Sequence, residues 1–311
     1  MNYISKHDLD NIIVSGFKLF VSEYLQKLSN LNMLITSTTN QLRDDAIGDI
    51  SKLHDIISLL DKIGNVTNTN VYEDVFEDTF IENTGIYYTL KQNTFESYSC
   101  YEFMVIINKW INFEQKYYNN SLRQNTRTRL DSVLYETLIN KNMEKFTNSS
   151  TGLKHMLINN MIEQLELFYN LCRLSPTSFK IFCTTIKQYV IDAGFSITNE
   201  LKTATKPSTT IVINMIDFYD KMRNIIKKSF NDNPQINKHV FDGFRSVINN
   251  NIKFIEIFVM YIDLVLKYKI EKSEEKILEK FADFINIVHL IQDKDIFIDI
   301  YRSMMGRRIL K

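Results

Sequence analysis

Turn-forming residues are scarce in this chain. Its 311 residues include eight glycines and three prolines, Pro176, Pro207 and Pro234. A β-sandwich or barrel needs a turn every ~8–12 residues, so this supply argues against both and leaves long helices. Cysteine is scarce as well. Cys100, Cys172 and Cys183 are odd in number and lack metal-ligand spacing, which argues against a disulfide framework and for a reducing compartment. Net charge is absent, with 37 Lys and Arg against 37 Asp and Glu. Broad nucleic-acid binding draws its affinity from a basic surface, so it is not expected here. Long uncharged runs are missing too. The most apolar segment, Ile252 to Tyr268, carries Lys253, Glu256, Asp263 and Lys267. A membrane span needs about 18 or more nearly uncharged residues, so this segment reads as a buried helix. The first residues carry charges where a signal peptide needs an unbroken apolar stretch. A cytoplasmic or nuclear location follows as the expectation, with neither membrane nor nucleic acid as partner.

What is present is helical periodicity. Phe179, Phe182, Cys183, Ile186, Val190 and Ala193 recur at three- and four-residue steps and form one apolar stripe. Ser175 is placed to cap that helix, Pro176 fits its first turn, and Gly194 reads as its stop. Leu157, Met161, Leu165, Phe168 and Cys172 form the stripe of a preceding helix, which makes two of the cysteines small buried hydrophobes. Val212, Met215, Tyr219, Met222, Ile226 and Phe230 line another face after the Pro207-Ser208 break. Asn231 to Pro234 reads as a loop, and Val240, Phe241, Phe244, Val247 and Ile248 then resume until Asn249-Asn250-Asn251. Ser273 is placed to cap a helix whose inward face is Ile277, Phe281, Phe284 and Val288, and a last helix runs from Asp295. In the first third, Ile12–Leu28 and Ile50–Ile63 read as helices, with Gly64 closing the second and Gly64–Asn70 a loop. Tyr72–Tyr88 and Tyr101–Tyr118 read as aromatic-rich helices. The fold class is all-α, and a length beyond the ~100–200 residues of one domain implies two or more packed units.

Motifs that carry chemistry are absent. Neither GxxxxGK[ST] nor GxGxxG occurs, and there is no GxSxG elbow. His7, His54, His155, His239 and His289 are scattered, without a second histidine one turn away. Asp44 to Asp49 lacks the alternating oxygens and terminal Glu of a calcium loop. Glu274-Glu275 at a helix start, and Arg302, Arg307, Arg308 and Lys311 at a helix end, are each accounted for by the macrodipole; a binding role is the alternative for the basic cluster. No catalytic, metal-binding or cofactor-binding residue is assigned, and no cofactor is expected.

Several strings, in order, resemble the cullins, the scaffolds of RING-type ubiquitin ligases. Val71, Tyr72, Glu73, Phe76, Phe80, Thr84, Tyr87 and Tyr88 are similar to a cullin VYE-x-x-FE-x-x-F-x-x-x-T-x-x-(F/Y)Y string. Phe230, Asn231 and Asp232, with Phe244, Ile248, Asn249 and Asn250, resemble F-N-x-D…F-I-N-N-N. Tyr261, Asp263 and Lys267 sit in a segment like L-L-A-x-Y-C-D-x-L-L-K. Lys294, Asp295, Phe297, Tyr301, Arg307 and Arg308 resemble the K-D-V-F…F-Y…K-R-L-L stretch, with Ile300 in place of an aromatic, Gly306 of Ala and Arg307 of Lys.

This resemblance implies an elongated stalk of stacked five-helix repeats, each burying its stripe against neighbours. By the resemblance, 1–145 corresponds to the second cullin repeat, 146–270 to the third, and 271–311 to the first helices of a truncated C-terminal bundle. The adaptor-binding first repeat and the RING-binding region then have no counterpart. The implied function is non-catalytic: part of a cullin–RING ubiquitin ligase complex acting in ubiquitin-dependent protein breakdown, with the proteins of that assembly as partners. A helical-repeat tethering protein unrelated to ubiquitin is the alternative, and an enzyme a third. A shortened stalk should also expose apolar stripes near Ile12–Leu28 and Phe297–Leu310.

Overall fold

A computed structural model describes residues 6–20, 23, 29–45, 51–118, 122–199, 201, 209–267 and 274–310. Among them there is no β-strand. The chain divides into two compact units, Met1–Lys145 and Phe146–Lys311.

The first unit contains α1 (Lys6–Phe20), α2 (Ser29–Asp45), α3 (Ser51–Thr67), α4 (Asp78–Gln92), α5 (Cys100–Tyr118) and α6 (Gln124–Leu134). A π-helical turn, Glu73–Glu77, leads into α4. The α5 stripe shows why this segment is helical and how it faces. Phe103, Ile107, Ile111 and Tyr118 are all buried, at the spacing that stacks side chains on one side of a 3.6-residue helix. Burying each of the Phe and Ile side chains contributes about 1.5–3 kcal/mol relative to exposure. Tyr72, Phe76, Phe80 and Tyr118 form a ladder of rings with centroids 5.2–5.4 Å apart.

Within the second unit run α8 (Leu153–Ile158), α9 (Ile162–Cys172), α10 (Pro176–Thr198), α11 (Thr210–Ser229), α12 (Pro234–Ile248), α13 (Ile252–Leu266), α14 (Glu274–Leu290) and α15 (Lys294–Ile309). The division between the units falls inside α7 (Met143–Asn148). The extensive α10–α12 contact depends on two glycines. A Cβ at Gly194 would lie 2.8 Å from Val247 Cγ2, and one at Gly243 would lie 3.0 Å from Val190 Cβ. Each helix therefore receives a valine of the other where it has no side chain. Asn233 caps α12, its Oδ1 accepting from the N–H groups of Gln235 at 2.9 Å and Ile236 at 3.3 Å; Pro234 occupies the first turn. Asn251 caps α13 by accepting from the Lys253 N–H at 3.0 Å.

Several expectations need correction. Gly64 does not close α3, which continues to Thr67; Asn68, at φ 52°, takes the left-handed conformation that ends it. Gly194 is no stop either, because α10 continues to Thr198 and uses the glycine for close packing. The stripe from Leu157 to Cys172 belongs to two helices, broken at Asn160 with φ 55°. Ser175 holds the N-cap position of α10, but its hydroxyl makes no capping bond. On α14, Phe284, Ile287 and Leu290 are buried, while Phe281 is exposed and Val288 half-buried; the inward face lies one step round from the expected one. Cys100, Cys172 and Cys183 are all buried and none is in a disulfide; Cys172 and Cys183 lie on the apolar faces expected for them. Ile12, Ile13, Leu19 and Phe20 are exposed at one end of the chain, and Ile298, Met305 and Leu310 at the other, while Phe297, Tyr301 and Met304 are half-buried. The Pro207-Ser208 break, the Ser273 cap, Lys311 and the expected boundary at 270/271 lie outside the described residues.

Candidate functional site

The chemistry of the first unit is concentrated around one buried ion pair. Arg43, near the end of α2, donates from Nε to Glu114 Oε1 on α5 at 2.7 Å, with both side chains 1% exposed or less. Its Nη2 donates to Thr84 Oγ1 at 2.5 Å and to Glu114 Oε2 at 3.4 Å, and Nη1 donates to Asn40 at 3.3 Å. The Tyr88 hydroxyl donates to Glu114 Oε1 at 2.7 Å. The rings of Phe80, Tyr87 and Tyr88 lie 5.3–5.6 Å from the guanidinium. Burial works against the Arg43 charge, but the facing Glu114 carboxylate and its hydrogen bond outweigh that and hold Arg43 cationic. Burial, followed by the Glu114 charge, pushes the Tyr88 and Tyr118 phenols well up, so both stay neutral. The Tyr118 hydroxyl is buried without a hydrogen-bond partner among the described residues.

This network holds α2, α4 and α5 together and has no reactive group. The Cys183 thiol is pushed up to about 11 by burial and Cys172 well above its ordinary value, the opposite of an activated cysteine. Among the described residues no three His, Cys, Asp or Glu side chains are placed to hold a metal ion, and no helix is long and apolar enough to cross a membrane.

The residues singled out by the cullin-like strings fall into separate clusters. Val71, Tyr72, Phe76 and Tyr88 are buried in the first unit. Tyr72 donates to or accepts from Thr126 Oγ1 at 2.9 Å, and Arg123 lies 4.1 Å over its ring. Glu73 is exposed, 3.9 Å from Arg123. In the second unit, Phe230 closes the core between the rings of Tyr169 and Phe182, at 5.6 and 5.4 Å. Asn249 clamps the end of α14: its Nδ2 donates to the Leu290 carbonyl at 2.9 Å and its Oδ1 accepts from the Gln292 N–H at 2.7 Å. Tyr261, Asp263, Phe297, Tyr301 and Arg308 gather where α13, α14 and α15 meet. Asp263 pairs with Lys267 and, at 3.3 Å, with Arg308. Tyr261 accepts from Lys280 at 2.8 Å, and Phe297 stacks on Tyr301 and meets Phe258 at a tilt. Asn250, Lys294, Asp295 and Arg307 remain exposed. Of the basic cluster, Arg302 and Arg307 face solvent, while Arg308 turns back to Asp263.

Sequence reasoning missed Arg43 and Glu114. The available signal was Glu114 itself, a carboxylate on the buried stripe Phe103, Ile107, Ile111, Tyr118, where an unpaired charge is too costly to stand.

Comparison with known proteins agrees with this architecture. The family described as the cullin alpha solenoid domain matches residues 1–311. Cullin-3 of Dictyostelium discoideum is 24% identical over 315 residues, covering 99% of this chain and 41% of the relative. Putative cullin-like protein 1 of Arabidopsis thaliana is 23% identical, covering 99% of this chain and 44% of the relative. Cullin-1 of Dictyostelium discoideum is 25% identical over 256 residues, or 78% of this chain. The chain thus spans less than half the length of these curated relatives, and it belongs to the cullin family.

Proposed function

We propose that this chain serves as a stalk segment of a cullin–RING ubiquitin ligase complex, acting in ubiquitin-dependent protein breakdown and doing no catalysis of its own. The observation that carries this reading is the family match along the whole chain. A stalk works by geometry. Helices held in fixed register raise the effective concentration of substrate lysines near a ubiquitin-charged enzyme held at the other end of the assembly. The buried ion pair and the motif positions from Val71 to Arg308 would serve that rigidity. On this reading 1–145 acts as the second cullin repeat, 146–270 as the third, and 271–311 as the start of the C-terminal bundle. The partners are proteins of the ligase assembly, in the cytoplasm or nucleus. Family membership leaves the vesicle-tethering alternative without a supporting observation.

The test is to tag the native locus and follow the product by mass and by co-purification. The expected result is a protein much heavier than 36.7 kDa that brings down a RING subunit and a substrate adaptor. A product of that mass or below, carrying neither, overturns the ligase assignment.

A further inference from the structure

The second unit holds a cleft that none of the features above uses. It measures about 680 Å³ and lies between the first turns of α10 and of α12. Phe179 and Cys183 form its apolar side, Arg173, Lys180 and Lys238 supply the cations, and His239 completes the lining. No Asp or Glu is among the residues that line it. Arg173, Lys180 and Lys238 are exposed, and none of the ion pairs among the described residues includes them. The chain as a whole is neutral, so this concentration of uncompensated cations is local and does not reflect a basic composition.

The combination narrows the ligand. Like charges gathered without counter-charge repel one another, and an anionic partner removes that repulsion while gaining attraction in a concave site. A nucleic acid requires a basic track along its backbone, and three cations at this cleft of a neutral chain do not supply it. A small inorganic anion would leave the apolar side uncovered. A protein segment bearing carboxylates around an apolar side chain uses both halves, and the cleft is of a size that takes one such side chain with its neighbours.

We propose that this cleft binds an acidic protein segment presenting an apolar residue between its carboxylates. The proposal is independent of the ligase reading. Its test uses the full chain and a short fluorescein-labelled peptide of Glu and Asp around a central Leu-Phe pair, followed by fluorescence anisotropy. Reversing two exposed charges, Lys180→Glu with Lys238→Glu, should weaken binding by at least about tenfold. Lys253→Glu, an exposed reversal on α13, should leave affinity within about twofold. Raising salt from about 50 to about 300 mM should weaken wild-type binding by about tenfold or more. Replacing the central Leu-Phe by Gly-Gly should cost about fivefold or more, since the apolar contact is lost. Unchanged binding by the charge-reversed variant overturns the proposal. So does equal affinity for the Gly-Gly probe, or displacement of the probe by pyrophosphate as readily as by unlabelled peptide, which would make this a small-anion site.

Discussion

The two units bury their helices by different means. In the first, α2, α4 and α5 meet around Arg43 and Glu114, a fully buried ion pair joined by Thr84 and Tyr88. In the second, α10 and α12 meet through Gly194 and Gly243, each receiving a valine of the other helix. One contact is specified by charge and hydrogen bonding, the other by shape. A buried charge network tolerates little change of partner, whereas a glycine contact tolerates little added volume. The same helical fold can therefore fail in two distinct ways.

Breaking the charge contact should have the largest effect. Glu114→Gln leaves Arg43 cationic in a dry site and should lower stability by about 3–5 kcal/mol, measured by urea unfolding. Overfilling the shape contact comes next. Gly194→Leu, at 2.8 Å from Val247 for its Cβ alone, should cost about 2–3 kcal/mol, and Val247→Ala in that background should return part of it. Asn249→Ala strips the Leu290 carbonyl and the Gln292 N–H of their side-chain partner. It should cost about 1–2 kcal/mol and raise amide exchange at Gln292. Gly306→Ala sharpens the comparison with a change of opposite sign. Nothing lies within 4 Å of its added Cβ, so the helix should gain about 0.5–1 kcal/mol.

The last prediction concerns pH and is silent at neutrality. Burial raises the Cys183 thiol from 9.0 to about 11, so its neutral form is favoured in the fold. The resulting stability is complete below pH 9 and is lost as pH rises through about 11, because the unfolded chain releases its proton first. Tyr88 and Tyr118 are raised too and slope the same way. The readout is therefore the difference between wild type and Cys183→Ala: the variant should lose stability less steeply over that interval, and parallel curves would contradict the assignment.

The sequence made the apolar stripes legible because helical spacing is local. Phe182, Cys183, Ile186 and Val190 are buried together, as are Val212, Met215, Met222, Ile226 and Phe230. Helix ends were less legible, because glycine and asparagine exchange their usual roles. Among the described residues no glycine has positive φ, while Asn68, Asn160 and Asn231 do. Asparagine ends helices here, and Gly194 and Gly243 serve close approach. The Arg43–Glu114 pair was hidden for another reason. Its members stand 71 residues apart, and only Glu114, by interrupting a buried stripe, hints that a partner exists. The cullin strings located buried positions such as Tyr72, Phe230 and Tyr261. They also included Glu73, Asn250, Lys294, Asp295 and Arg307, which the fold leaves exposed.

A double-mutant cycle on Arg43→Met and Glu114→Leu, read by urea unfolding, tests most directly that the first unit is specified by paired charge. The account predicts that each single change is costly and that the double variant recovers at least about 2 kcal/mol of their sum, since both charges leave together. Single costs that simply add, within about 0.5 kcal/mol, would contradict it.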